Sequence, residues 1–268
     1  MKTILVLIFV INILILLLVI VMLIRDKEPY LFPPQFFQAT HFNRQKQLIP
    51  YLQIKVLITD DDEFPKVPET MYNVIKTWID INPEYNFILL DRKACENFLK
   101  KYFISDVLTA FNTLKPNAYK CDLFRYCWLY IHGGVYSDSK MELQLPLREI
   151  IPPDISFIAA KDILLENGEG FPLLNSFIAT VPGHPFLKAT IEDVVNNIKR
   201  RSYGNNALDP TGPYAFGRAV NRVLNSNKPF IEGVHQLPVF ASDRGDNFRF
   251  SKAKYKILNF QVIKSLLV

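Results

Sequence analysis

Two kinds of pattern alternate along most of this chain, short apolar runs and longer segments of helical spacing, and one run at the start fits neither. From Ile4 to Ile24 nearly every position is Leu, Ile, Val, Phe or Met, and Asn12 is the only polar residue. About 20 apolar residues span a bilayer, whereas the apolar core of a cleaved leader runs to about 7–15. No small-x-small cleavage pattern follows; the chain continues Arg25-Asp26-Lys27-Glu28. The pattern predicts a retained transmembrane anchor over 1–24. A buried core helix is the poorer alternative, because such helices keep a polar stripe. Orientation stays open. Lys2 flanks one side and Arg25 and Lys27 the other, and the positive-inside rule counts only Lys and Arg. Residues 25–50 hold Pro29, Pro33, Pro34 and Pro50 among Gln and Asn, which reads as a stem.

Residues 51–268 read as one domain. Gln53–Thr59 (QIKVLIT) is a predicted strand that ends in the acidic turn Asp60-Asp61-Asp62. Helical spacing follows over Glu69–Ile79, then a strand over Asn86–Leu90, then helices over Lys93–Tyr102 and Ile104–Leu114. Asn117 is placed to cap a helix running to His132, with Gly133-Gly134 as its stop. Val135–Asp138, Ile155–Ala160 and Ser176–Val181 read as strands, and Pro185–Arg201 and Pro213–Leu224 as helices. Val239–Ala241 and Tyr255–Phe260 close the pattern as short strands. Strands alternating with helices predict an α/β sheet, which binds ligands outside the carboxyl ends of its strands.

Composition narrows the function classes. The 268 residues are 49% hydrophobic, enough for one substantial core and an anchor. The net charge of +5 suits an anionic small ligand or a membrane surface, but no dense basic patch with interleaved aromatics supports nucleic-acid binding. Lys199-Arg200-Arg201 is a solvated helix end. Cys95, Cys121 and Cys127 match no zinc spacing and read as small buried hydrophobes, with the redox compartment undecided. His132, His184 and His235 share no metal spacing and read as structural. No G-x-S-x-G elbow or phosphate-cradling P-loop occurs.

The chemistry concentrates in Lys120–Glu142, KCDLFRYCWLYIHGGVYSDSKME. Its first part is an apolar helix on nearly every face and should be buried. Asp122 and Arg125 nonetheless sit three apart, on one face. Buried charges cost several kcal/mol each unless paired or serving a ligand. Either an internal ion pair or a ligand site satisfies that condition. The glycine stop then leads into a strand ending at Asp138. In an extended segment Asp138, Lys140 and Glu142 share one face, so an acid at a strand's carboxyl end follows directly on the buried pair.

The order D-L-x-R-Y, helix, G-G-[VI]-Y-x-D-x-x-x-E resembles glycosyltransferase family 32, which includes Golgi mannosyltransferases and is similar to the glucosyltransferase domains of clostridial toxins. Asp122, Arg125, Tyr126, Gly133, Gly134, Tyr136, Asp138 and Glu142 carry the match. Trp78 to Tyr85 (WIDINPEY) resembles an upstream step of that family. Asn175, Pro182-Gly183-His184-Pro185 and Thr211-Gly212-Pro213 resemble later landmarks. The resemblance spans about 50–225. It implies a GT-A, Rossmann-like domain behind one transmembrane helix, and retaining transfer of a hexose from a nucleotide-diphosphate sugar to a glycan or glycolipid. It also implies a single-pass protein of the Golgi or ER with a lumenal catalytic domain. By the same resemblance Asp138 and Lys140 are the catalytic positions. Asp122, Arg125, Tyr136, Thr59 and Asn175 bind the donor, and a divalent cation (Mn²⁺ or Mg²⁺) is the expected cofactor, with Asp138 its ligand. The sequence departs at Lys140, which stands where the family has the second acid of its aspartate-x-aspartate motif. Three readings follow. The lysine replaces the cation, other oxygens hold the metal, or the protein is a weak or inactive relative that binds glycans or scaffolds other transferases. Arg244 and Arg249 are candidate helpers for the lysine, and Asp243-Arg244-Gly245-Asp246 could line the acceptor side.

Overall fold

The computed structural model describes residues 10–17, 30–31, 35–41, 43–59, 66–67, 69–143, 145–161, 173–224, 248–250, 253–258 and 263–265. Residues 10–17 form a helix, α1, whose Leu14, Ile15, Leu16 and Leu17 are exposed. The rest of the predicted anchor lies outside the described residues. Among these, no helix is long and apolar enough to cross a membrane.

Eight strands make the main sheet. β2 (Gln35–Phe37), β3 (Leu52–Val56), β5 (Asn86–Leu90), β6 (Gly134–Ser137), β8 (Phe157–Lys161), β9 (Leu173–Thr180), β10 (Phe248–Phe250) and β11 (Ala253–Leu258) lie in the order β10-β11-β8-β9-β6-β3-β5-β2. β3 runs parallel to both β5 and β6, while β9 is antiparallel to β6 and β8. Two small pairs flank the sheet. One joins β1 (Tyr30–Leu31) to β4 (Lys66–Val67), and the other joins β7 (Met141–Leu143) to β12 (Ile263–Ser265). The helices are α2 (Glu69–Asp80), α3 (Arg92–Tyr102), α4 (Ser105–Thr113), α5 (Asn117–His132), α6 (Leu147–Ile150), α7 (Pro185–Lys199) and α8 (Pro213–Leu224).

Strand alternation builds a core on each face of the sheet. Ile54, Val56, Tyr136 and Ile178 face one layer, which contains Phe98 of α3, Phe111 of α4, Phe124 of α5, Leu187 of α7 and Phe216 of α8. Phe87, Leu89, Val135 and Phe177 face the other, with Trp78 of α2 and Leu147 of α6. The result is the expected α/β domain, with the carboxyl ends of the parallel strands β3 and β6 side by side.

Three expectations are corrected. Asn117 does not cap α5. Pro116 occupies the cap position and Asn117 is the first helical residue; its side-chain oxygen accepts from Arg92 Nη2 at 2.9 Å. The segment 138–142 is not extended, because Ser139 and Lys140 form a turn closed by Met141 N–H donating to the Asp138 carbonyl at 3.0 Å. The shared face assigned to Asp138, Lys140 and Glu142 therefore does not exist. The stretch read as a stem is built into the domain from residue 35 onward, where β2 forms the sheet edge and Ile49 is fully buried. The acidic turn 60–62, the strand over Val239–Ala241 and the loop 243–246 lie outside the described residues.

Candidate functional site

The site forms where α5, β6 and β9 meet. α5 is buried from Lys120 through Leu129 except for its partly exposed Cys121, so its charged side chains must find partners inside the protein. Arg125 does so with nearly every donor it has. Its Nη2 pairs with Asp122 Oδ1 at 3.0 Å, and Nη1 with Asp138 Oδ1 at 3.0 Å. Nη1 also donates to the Asn175 carbonyl at 2.6 Å, and Nε to the Cys121 carbonyl at 3.2 Å. The guanidinium carbon lies 4.4 Å from the centre of the Tyr136 ring. Burial works against this charge, but Asp138, Tyr136 and Asp122 outweigh it and raise its proton affinity.

Asp122 is held from three directions. Asn175 Nδ2 donates to Oδ1 and Thr211 Oγ1 to Oδ2, each at 2.8 Å, in addition to Arg125. Burial pushes its carboxyl above the usual range, against the pull of Arg125 and Thr211. Tyr126 joins the network: its hydroxyl donates to the Thr211 carbonyl at 3.0 Å and accepts from Asn175 Nδ2 at 2.8 Å. Asn175 thus ties Asp122 to Tyr126 and, through its carbonyl, to Arg125.

Asp138 is the member that reaches solvent. Its side chain is 40% exposed, against 4% for Arg125. Tyr136 donates to its Oδ1 at 2.8 Å. Oδ1 is therefore engaged twice, and none of these contacts uses Oδ2. Lys140 is exposed on the turn that follows. Among the remaining expected residues, the structure brings Asp122, Arg125, Tyr136 and Asn175 together with Asp138. The Thr59 carbonyl accepts from Arg92 Nη2 at 3.0 Å. Asp122 and Arg125 are thus an internal ion pair, and the pair extends to the partly exposed carboxylate of Asp138.

Sequence reasoning did not place Lys55, Thr211 or Tyr126 in the site. Thr211 and Tyr126 had only a motif position to mark them. Lys55 had a signal, the one charged residue of a short strand, between apolar Ile54 and Val56. It is fully buried, and its ammonium donates to Ser137 Oγ at 2.6 Å and to the Asp138 carbonyl at 2.7 Å.

Among the described residues, the side chains of the site do not by themselves make a cage for a resident divalent cation. Such an ion takes several oxygen ligands, which Mg²⁺ draws from one or two carboxylates, waters and substrate phosphates. The Asp138 Oδ1 is taken by Arg125 and Tyr136, the Asp122 carboxylate is buried and saturated, and Lys140 occupies the second acidic position. Among the described residues no group of three or more His, Cys, Asp or Glu side chains could hold a metal. The cysteines are all free, and burial pushes the Cys121 thiol up to about 12.

Comparison with known proteins agrees with the resemblance read from the motif. Residues 68–157 match the family model described as "Glycosyltransferase sugar-binding region containing DXD motif". An uncharacterized glycosyltransferase of Acanthamoeba polyphaga mimivirus is 26% identical over 61% of this chain and 62% of its own length. Mannosyl phosphorylinositol ceramide synthase CSH1 of Saccharomyces cerevisiae is 24% identical over 84% of this chain and 59% of its own. The initiation-specific alpha-1,6-mannosyltransferase of Candida albicans is 32% identical over 30% of this chain and 20% of its own. The chain thus spans less than two thirds of the length of each. Among solved structures, PaToxG Glycosyltransferase superposes with a TM-score of 0.53 at 16% identity, covering 68% of this chain and 71% of that one. This likeness supports the GT-A type of fold.

Proposed function

We propose that this chain, whose residues 68–157 match a glycosyltransferase sugar-binding region with a DXD motif, moves a hexose from a nucleotide-diphosphate sugar to a glycan or glycolipid, with retention at the anomeric carbon. Mannose is the hexose we favour, because the curated relatives include mannosyltransferases. The observation that carries the reading is the chain of contacts from buried Asp122 through Arg125 to half-exposed Asp138 at the carboxyl end of β6.

In this reading Asp138 accepts donor hydroxyl groups through its outer oxygen, and Arg125 fixes that carboxylate from behind. Breaking the glycosidic bond leaves negative charge on the departing diphosphate. Lys140, on the adjacent turn, is the cation we assign to it. An ammonium about 4 Å from a phosphate oxygen contributes about 4 kcal/mol at an effective dielectric near 20, and each 1.4 kcal/mol is about tenfold in rate. Arg125 is already committed to two carboxylates and cannot turn outward without abandoning one.

The test is a thermal-shift and transfer assay on the full chain in detergent, using a panel of nucleotide hexoses with EDTA or with manganese. The expected result is that GDP-mannose raises the melting temperature and supports transfer in EDTA. Lys140→Ala should lose transfer, and Lys140→Asp should become dependent on manganese. Wild-type transfer that requires manganese would remove Lys140 from its assigned role. A second reading, a glycan-binding relative without transfer, is favoured by the missing second acid; binding of oligomannose without donor hydrolysis or transfer would support it.

A further inference from the structure

Lys55 lies outside the motif, yet every oxygen it holds belongs to the motif's segment Ser137–Met141. It sits within β3, paired in register with Leu89 of β5. None of its surface is exposed. Besides its bonds to Ser137 Oγ and the Asp138 carbonyl, its ammonium reaches the Met141 carbonyl at 3.4 Å. The Trp78 ring lies against it, 4.2 Å from the ammonium, and the Trp78 indole donates to the same Met141 carbonyl at 2.5 Å. Among the described residues Lys55 joins no ion pair.

A buried ammonium without a carboxylate is costly to the fold, and burial pushes its proton affinity well down. The same space could hold an apolar chain at less cost. What the ammonium supplies is convergence. It ties the end of β6, the turn and the start of β7 to one point beneath Asp138. From above, the Asp138 N–H donates to the Ser176 carbonyl at 2.9 Å, and its carboxylate is held by Tyr136 and Arg125. The backbone of Asp138 is thus fixed on both sides before any ligand arrives.

We infer that Lys55 is a positioning residue for the donor site: its buried ammonium sets the Asp138–Met141 turn and so presents the Asp138 carboxylate and Lys140 to the diphosphate sugar. This rests on the donor-site reading above for its ligand, but not for its mechanical content. Lys55 touches no donor and acts only through the turn.

The test uses the full chain and Lys55→Met, which keeps the unbranched apolar stem and removes the ammonium with its donors. Amide hydrogen exchange over 137–141 should speed up by at least about tenfold, while the Asn86–Leu90 amides of β5 change far less. The Kd for GDP-mannose should rise by at least about tenfold. Ser137→Ala, which removes one arm of the clamp, should shift both readouts in the same direction by less. Phe111→Leu, in the core of the opposite face, should lower the melting temperature and leave the Kd unchanged. If Lys55→Met does not fold, Ser137→Ala and Lys55→Arg carry the same two readouts. Unchanged exchange over 137–141, or acceleration spread evenly over β3, β5 and β6, overturns the inference. Wild-type protein that binds no GDP-mannose counts against the donor reading instead, and the exchange pattern then decides the role of Lys55 by itself.

Discussion

His184 shows how burial alone sets the behaviour of one residue. It stands at the cap position of α7, where its Nδ1 accepts from the Phe186 N–H at 3.4 Å, and its ring lies 4.8 Å from that of Phe157. Burial pushes its pKa down to about 4. In the unfolded chain a histidine titrates near 6.5. Between those values the unfolded chain binds a proton that the native protein refuses. Stability is therefore intact above about pH 6.5, is lost as the pH falls from there toward 4, and loses nothing further from this group below that. The loss amounts to roughly 3 kcal/mol for a shift of about this size. Denaturant titrations of wild type and His184→Asn between pH 7.5 and 4.5 should show the variant losing less stability over the same range. Parallel curves would assign the acid sensitivity to other groups. Asn suits the comparison because it caps helices without titrating.

At the scale of the element, the joint between α5 and β6 carries the site. Gly133 and Gly134 adopt φ values of 63° and 93°, a region L side chains rarely enter. This lets a largely buried helix turn at once into a central strand, which puts Asp122, Arg125 and Asp138 within reach of one another. A Cβ on Gly134 would fall on the Leu52 carbonyl oxygen, whereas one on Gly183, at φ 70°, would meet nothing within 4 Å. Gly183→Ala should therefore cost only its backbone strain, about 1 kcal/mol, and Gly134→Ala at least about 3 kcal/mol, because strain and overlap add. Urea unfolding of the two variants checks the contrast; equal losses would show that β3 and β6 separate without penalty. The doublet was readable from sequence as a helix stop. The close approach of Leu52 was not, because it depends on which strand lies next to β6.

For the whole molecule, two helical layers enclose the sheet and leave the carboxyl ends of β3 and β6 for the site. The apolar run Ile4–Ile24 is long enough to span a bilayer. The described part of it, residues 10–17, is helical with its apolar side chains exposed. We expect the full chain to stay with membranes through an alkaline carbonate wash; recovery in the supernatant would count against the anchor. A lipid-linked acceptor near the membrane surface fits the proposed transferase, and carbonate extraction tests the anchor independently of any activity.

Local pattern determined most of the strands and helices between Leu52 and Leu224, the burial of α5 and the motif residues Asp122, Arg125, Tyr136 and Asp138. Periodicity and charge spacing are written into adjacent positions, and adjacency needs no tertiary contact to be read. Strand neighbours and long-range partners were decided only by folding. Lys55 and Ser137 are 82 positions apart, and Asp122 and Thr211 are 89 apart. Polar Gln53 and Lys55 alternating with apolar Ile54 and Val56 look like a half-exposed strand, but helices cover both faces of β3, so the lysine became the buried anchor of a turn. Lys140 went the other way. Alternation placed it beside Asp138, and a single hydrogen bond from Met141 to the Asp138 carbonyl, closing a turn, moved it out to solvent. A side chain's face is set by the backbone on both sides of it, and one turn is enough to reverse it.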